Sequence, residues 1–203
     1  VLTNDDVAVE DSTFTTGRRG VDATVLVEKI VGSLAEDGGS LENCKALGEK
    51  VNKNAGTMGV AFTSCTTPEA GKPTFDIGHD EMEFGVGIHG EPGRKREKVQ
   101  PSKKIVGNIL EAILDDLKLE KNEKTLLFVN GMGGTPLTEL YLVYDDACQI
   151  LKSKGIIVTK SLVGNYCTSL EMQGASITVL KCDEEILKHW DAPVHTPAMR
   201  WGM

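Results

Sequence analysis

The sequence predicts a layered α/β domain. Beyond residue 55, short apolar or alternating stretches take turns with long stretches of helical period, the pattern of strands interleaved with helices. The chain has 203 residues, enough for one large domain with a sizeable core. Its composition, 40% hydrophobic and 26% charged, is that of an ordinary globular protein.

The first elements are helical. From Ala23 to Glu36, the residues Val25, Leu26, Ile30 and Leu34 recur at helical spacing, and Gly38-Gly39 stops the run. Ser40 suits an N-cap, with Asn43 standing where a capping box has Glu or Gln. Leu41, Cys44, Leu47 and Val51 continue with the same period to Asn54, so residues 21–54 predict an antiparallel helical hairpin.

The α/β alternation follows. Thr57 to Cys65 is small and apolar, a buried strand, and Thr66 to Pro73 is a loop by composition. Glu81 to His89 alternates as a strand, whereas Gly93 to Lys98 is charged and reads as a solvated loop. Pro101 to Leu119 predicts an amphipathic helix with Ile105, Ile109, Leu110, Ile113, Leu114 and Leu117 on one face. Thr125 to Asn130 reads as a central strand. Leu137 to Lys154 is a helix capped by Gly155, with Thr135 suited to its N-cap and Pro136 to its first position. Strand material spans 156–166, a last strand 176–182, and a short helix 183–189. The Pro-rich tail carries both tryptophans, Trp190 and Trp201, and is expected to dock on the body or on a partner.

Charge and length narrow the function. A net charge of −8 argues against nucleic acid or an anionic membrane as the main partner. No apolar run approaches the roughly 18 residues of a membrane span. The start, Val1-Leu2-Thr3-Asn4, is neither a signal nor a transit peptide and lacks an initiator Met, so Val1 is expected to begin a processed or truncated chain. The five cysteines are odd in number and widely spaced. They read as reduced thiols of a cytoplasmic protein, mostly small core residues, and no feature marks one as a nucleophile.

The stretch Phe84-Gly85-Val86-Gly87-Ile88-His89-Gly90-Glu91-Pro92-Gly93 stands out. It delivers a histidine from a strand end into a loop stiffened by proline, where binding and catalysis concentrate. A neutral imidazole there is open to service as general base, metal ligand or nucleophile, or to being a loop histidine satisfied by a backbone carbonyl. Gly90 lets a small ligand approach the backbone, and Glu91 is placed to orient the ring. His79, ten residues upstream, makes a weak metal partner, and neither HExxH nor CxxC occurs. Two further clusters carry charge. Asp5-Asp6 reads as acid/base or metal chemistry or as a strand end; Arg18-Arg19 reads as an anion site or as ion-pair partners. Gly131 to Pro136 makes either an anion-binding helix entry or a tight turn; it is no Walker loop and fails the dinucleotide spacing.

Taken together, these stretches resemble the dihydroxyacetone-binding K subunit of the dihydroxyacetone kinases. The likeness rests on the His89 loop and on Asn4 to Val9 with Thr15-Thr16-Gly17-Arg18-Arg19-Gly20. It extends through Gly133 to Tyr141, Tyr166 to Leu170 with Ser176 to Thr178, and Trp190 to Pro197 with Trp201-Gly202. The resemblance runs end to end. It implies a layered mixed β-sheet flanked by helices, the second domain of the DhaK-type fold, over residues 1–203, with residues 1–20 as the crossover from a front domain. It implies that His89 adds to the carbonyl of dihydroxyacetone as a hemiaminal, with Gly90 and Glu91 in the substrate loop. The phosphate then comes, by a phosphoenolpyruvate-dependent route, from a separate nucleotide-bearing L subunit. No cofactor belongs to this chain. A homodimer is implied, as is the alternative of a non-catalytic paralogue that senses dihydroxyacetone and co-activates transcription. The family's front-domain loop of the Gly-Gly-Gly-Ser-Gly-His-Glu type is absent, so no acid/base residue carries over and the chain alone is expected to be inactive.

Overall fold

The computed structural model describes residues 1–9, 17–88, 91 and 93–202. Helices α1 (Ala23–Glu36) and α2 (Leu41–Lys53) form the expected hairpin. Ser40 caps α2 by accepting the Asn43 N–H at 3.2 Å. The cap of α1 comes from far away in sequence. Asp22 at its N-cap gives no side-chain cap, and the two Asp5 oxygens instead accept the N–H groups of Val21 (2.8 Å) and Ala23 (3.0 Å).

The sheet is built from β1 (Ala55–Ala61), β2 (Glu81–Phe84), β3 (Lys95–Lys98), β4 (Lys124–Gly131), β5 (Ile157–Gly164) and β6 (Gly174–Lys181). Their spatial order is β3-β2-β1-β6-β4-β5. β4 and β5 are parallel, while β6 runs antiparallel to both β1 and β4, so the sheet is mixed. Helices α3 (Ser102–Leu117) and α4 (Leu137–Ser153) cover one face; α1, α2 and α5 (Glu184–Asp191) pack on the other.

β4 shows why a central strand reads as one apolar run. Leu127 and Val129 enter the core under α3 and α4, and Leu126 and Phe128 enter the core under α1. All four are completely buried. Truncating Phe128 to Ala would cost about 3–5 kcal/mol, because transfer and cavity terms add. The predicted face of α3 is the buried one, with Val106 added to it.

Three expectations are corrected. β2 ends at Phe84 rather than at residue 89, because Gly85 turns the chain at φ +73°. The charged segment is an edge strand, not a loop: β3 pairs with β2, and Arg96 binds Glu83 across the pair at 2.6 Å. The N-cap of α4 is Pro136. The Thr135 hydroxyl is engaged elsewhere, donating to the Gly174 carbonyl (2.6 Å) and accepting its N–H (2.8 Å).

The tail docks on the body. β7 (Val194–His195) and β8 (Arg200–Trp201) form a hairpin, and the Trp201 ring lies 5.2 Å from that of Trp190. Lys29 sits 5.5 Å from the Trp201 ring centroid and donates to the His189 carbonyl at 2.8 Å. Burial holds the Lys29 ammonium below its ordinary pKa. Ser33 pairs with the otherwise buried His189 ring at 3.0 Å. Among the described residues, no helix is long and apolar enough to cross a membrane.

Candidate functional site

His89 and Gly90 lie outside the described residues, as do residues 10–16; Glu91 is described and buried. The frame that carries the loop is therefore the part open to view.

One edge of β1 is shared. Val60 and Ala61 pair with β2, while lower down Thr57 pairs with Asp6. Thr57 donates to the Asp5 carbonyl (2.7 Å) and accepts the Val7 N–H (2.9 Å), so residues 5–7 take over where β2 leaves off. The histidine loop departs at that junction. Gly85 still donates to the Gly59 carbonyl at 2.7 Å before the chain swings away.

Arg19 spans the junction. Its Nε (2.8 Å) and Nη2 (2.6 Å) both bind Asp6 Oδ2, and Nη2 also donates to the Gly85 carbonyl at 2.6 Å. The other Asp6 oxygen accepts the Ala8 N–H at 2.9 Å. Both side chains are buried. Burial raises the Asp6 carboxyl above its ordinary value, with the Arg19 charge and the Ala8 N–H pulling against it. A buried pair of this kind holds geometry more than it adds net stability. Arg18 points elsewhere and binds Asp116 in two contacts, at 2.5 and 2.9 Å. For Arg18 and Arg19 the ion-pair reading is the one observed, whereas Asp6 is an ion-pair partner and Asp5 a helix cap, neither of which was among their sequence readings.

Glu91 closes over this frame. A Cβ added to Gly87 would stand 2.1 Å from Glu91 Oε2 and 2.8 Å from Arg19 Nη1, so the carboxylate and the guanidinium both crowd the space that the glycine leaves. Gly87 donates to the Glu91 carbonyl at 3.3 Å, tying the loop's two limbs together. The return limb is fixed by Arg94 N–H on the Phe84 carbonyl (2.6 Å) and Gly93 N–H on Glu83 Oε1 (2.7 Å). Glu91 is thus placed among the loop's own supports. The other histidines are elsewhere: His79 is exposed, His189 is under the tail, and His195 is in β7.

The Gly131 to Pro136 turn resolves as structural. The N–H groups of Met132, Gly133 and Gly134 go to the Gly174 carbonyl (3.3 Å), Asn165 Oδ1 (3.2 Å) and the Met172 carbonyl (2.9 Å). Side chains at Gly133 and Gly134 would strike the backbone of Leu170 and Glu171. These N–H groups are spent on the 165–174 segment and none is left to cradle a phosphate.

A second buried polar cluster lies behind the turn. Asn130 donates to Asp22 Oδ1 (3.1 Å), the Cys167 carbonyl (2.8 Å) and Ser176 (3.0 Å), and accepts the N–H groups of Tyr166 and Cys167. Asp22 also accepts from Thr178 at 3.1 Å. Complete burial pushes Asp22 up to about 7, with hydrogen bonds from Ser176 and Thr178 opposing the rise. The Tyr166-Cys167-Thr168-Ser169-Leu170 stretch is therefore tied to the sheet and to α1. Burial also pushes the Cys167 and Cys182 thiols up to about 12, opposite to a nucleophile's need.

A protein-family model described as the Dak1 domain matches residues 1–198. The chain belongs to the Dak1 domain family. This Dak1 domain is 54% identical over 185 residues to the dihydroxyacetone-binding subunit DhaK of PTS-dependent dihydroxyacetone kinase 1 from Listeria innocua, covering 91% of the chain and 56% of that protein. It is 43% identical to the DhaK subunit of the PEP-dependent dihydroxyacetone kinase of Escherichia coli, covering 100% of the chain and 64% of that protein. The chain thus spans a little over half the length of these relatives. Among solved structures it resembles the dihydroxyacetone kinase operon co-activator Dha-DhaQ, with TM-score 0.87 and 33% identity over 95% of this chain and 60% of that one. It also resembles the dihydroxyacetone kinase of C. freundii, with TM-score 0.77 and 28% identity over 95% of this chain and 34% of that one.

Proposed function

We propose that this Dak1 domain supplies the carbonyl-capturing half of a dihydroxyacetone kinase, with His89 as the capturing group. The observation that carries this reading is the frame beneath the loop: Arg19, Asp6, Glu83 and Glu91 fix the backbone on both sides of His89. Such rigid support is what an addition reaction requires of its nucleophile.

The chemistry is a net addition. The unprotonated ring nitrogen of His89 attacks the ketone carbon of dihydroxyacetone, and the C=O π pair moves to oxygen. The other ring nitrogen releases its proton and the new alkoxide gains one, leaving a neutral hemiaminal. Glycerol has no electrophilic carbon, so it is refused by chemistry and not by contacts alone. Glu91, beside the loop, accepts the ring N–H and sets which nitrogen attacks. The captured hydroxyl is then presented for phosphoryl transfer, a step that depends on alignment and charge stabilisation. The names of the L. innocua and E. coli relatives support a phosphoenolpyruvate-dependent route. On that route the nucleotide sits on a separate L subunit, the K subunits pair as homodimers, and the protein works in the cytoplasm.

The second reading is a dihydroxyacetone sensor that co-activates transcription, favoured by the likeness to the Dha-DhaQ co-activator at TM-score 0.87. Reconstituting the chain, joined to the front part that the longer DhaK relatives carry, with an L subunit separates the two. A kinase phosphorylates dihydroxyacetone and loses that turnover with His89→Ala. A sensor binds the ketone without turnover.

A further inference from the structure

Five of the nine large apolar side chains that stand exposed among the described residues gather at one end of α4. Leu137, Tyr141 and Leu142 lie in its first two turns, and Val99 and Leu170 flank it, all between 46% and 53% exposed. Val99 and Leu142 share the lining of one cavity with Pro136 and Glu139, which places them on one side of the helix start. Leu170 comes to the same end through its backbone, which packs against Gly133, four residues before Leu137. Further along α4 the outward residues are Asp145, Gln149 and Lys152, an ordinary solvent face. The first two turns break that pattern.

Leu170 breaks a second rule. Among the described residues, three that are not glycine take a left-handed φ. Lys118 ends α3 and Asn122 sits in a polar turn; Leu170, at φ +53°, is the apolar one. Glycine or asparagine takes this conformation at lower cost, and an exposed leucine recovers nothing by burial. The turn nevertheless holds it outward: Ser169 N–H donates to the Met132 carbonyl (2.7 Å), and Met172 N–H to the Ser169 carbonyl (3.0 Å). A backbone strain kept at an exposed apolar side chain points to a use outside the fold.

Charge selects what covers the patch. The framing segments, residues 134–145 and 165–173, contain Glu139, Asp145 and Glu171 and no Lys or Arg. Hydrogen bonds from its own N–H and from Thr66 hold the Glu171 carboxyl below its ordinary value, so it keeps its charge at neutral pH. A second copy of the chain would set three carboxylates against the same three, which like charges oppose. An apolar centre with an acidic rim is complementary to apolar side chains ringed by cations.

We propose that the first two turns of α4, with Val99 and Leu170, form a docking surface for a partner protein that presents a row of aliphatic side chains flanked by Lys or Arg. The proposal does not rest on what His89 does.

The test uses the 203-residue chain with isotope-labelled methyl groups, at physiological ionic strength. Three synthetic peptides are titrated: an amphipathic helix with a leucine row between lysines, the same helix with glutamate for lysine, and the lysine peptide scrambled so that the row is lost. The expected result is a saturable shift of the Val99, Leu137, Leu142 and Leu170 methyl signals by the first peptide, with the other two at least tenfold weaker. Leu170→Gly is expected to lower that affinity at least fivefold, the burial of part of one leucine, while its urea midpoint is no lower than that of wild type. Leu142→Gln, on the helix and away from the strained turn, gives a similar loss of affinity. The proposal is overturned by an absence of saturable shifts, by equal binding of the glutamate or the scrambled peptide, or by unchanged affinity in both variants. A less stable Leu170→Gly chain overturns it too, because the leucine then serves the fold. Shifts of the same methyls with protein concentration alone would assign the surface to a second copy and would likewise contradict it.

Discussion

Arg19 holds Asp6 through two nitrogens, at 2.6 and 2.8 Å, and with one of them also holds the carbonyl of Gly85 at 2.6 Å. One buried guanidinium thus couples the N-terminal segment, through Asp6 beside β1, to the first residue of the histidine loop.

Removing that guanidinium leaves a buried carboxylate and a carbonyl without their donor. Arg19→Met is expected to destabilise the chain by about 3–5 kcal/mol. Arg19→Lys keeps the charge but loses the fork that serves two acceptors, so it is expected to fall between wild type and Arg19→Met. Urea unfolding followed by tryptophan fluorescence checks both. A loss under about 1 kcal/mol for Arg19→Met would show that the pair carries little of the frame.

Gly87→Ala is aimed at the loop. Its new Cβ would stand 2.1 Å from Glu91 Oε2 and 2.8 Å from Arg19 Nη1, and both side chains are buried. Overpacking of this kind costs about 1–3 kcal/mol. The expected outcome is a folded chain whose capture of dihydroxyacetone weakens at least tenfold. Circular dichroism and the carbonyl titration described below report the two effects separately.

The fold was legible wherever local pattern decides it. The buried face of α3 follows from spacing alone, and the Ser40 cap depends on a residue three positions away. Two of the misreadings share one physical cause, a partner remote in sequence. Lys95-Arg96-Glu97-Lys98 has no alternation to mark a strand, and it becomes one because β2 offers an edge and Glu83 a counter-charge. Thr135 suits a cap by position, yet Gly174, 39 residues on, claims its hydroxyl at both ends. The site divides the same way. The loop sequence announces itself, but that Asp6 and Arg19 form its foundation depends on tertiary contact, and each read as several things when seen alone.

Asp22 predicts a pH dependence. Its folded value of about 7 lies above the ordinary 3.8, so the folded state binds the proton more tightly than the unfolded chain. The stability tied to this group is therefore complete below about pH 4, is lost as pH rises through about 7, and stays lost above. The full swing is on the order of 4 kcal/mol. Unfolding free energies of wild type and Asp22→Asn, measured from pH 5 to pH 8.5, are expected to differ by an amount that changes steadily up to about pH 7 and levels off above it. A difference constant across that range would contradict the assignment.

The thiols should sort by environment. Cys167 and Cys182 are pushed up to about 12 by burial, although by exposed area Cys167 is only partly buried, as Cys44 and Cys148 are. Iodoacetamide at pH 8 is expected to alkylate Cys44 and Cys148 first, the partly exposed Cys167 more slowly because its raised pKa leaves little thiolate, and Cys182 only once the chain unfolds. Peptide mass spectrometry over a time course reads the order directly.

The most direct measurement of the central claim is carbon NMR of dihydroxyacetone labelled at its carbonyl, mixed with this chain and with His89→Ala, and then with each joined to the front part that the longer DhaK relatives carry. The account predicts that the ketone signal moves to the tetrahedral-carbon region with the wild-type histidine and stays in place with alanine. A ketone signal unmoved by the chain alone and by the joined protein alike would contradict covalent capture and return His89 to the role of a loop residue.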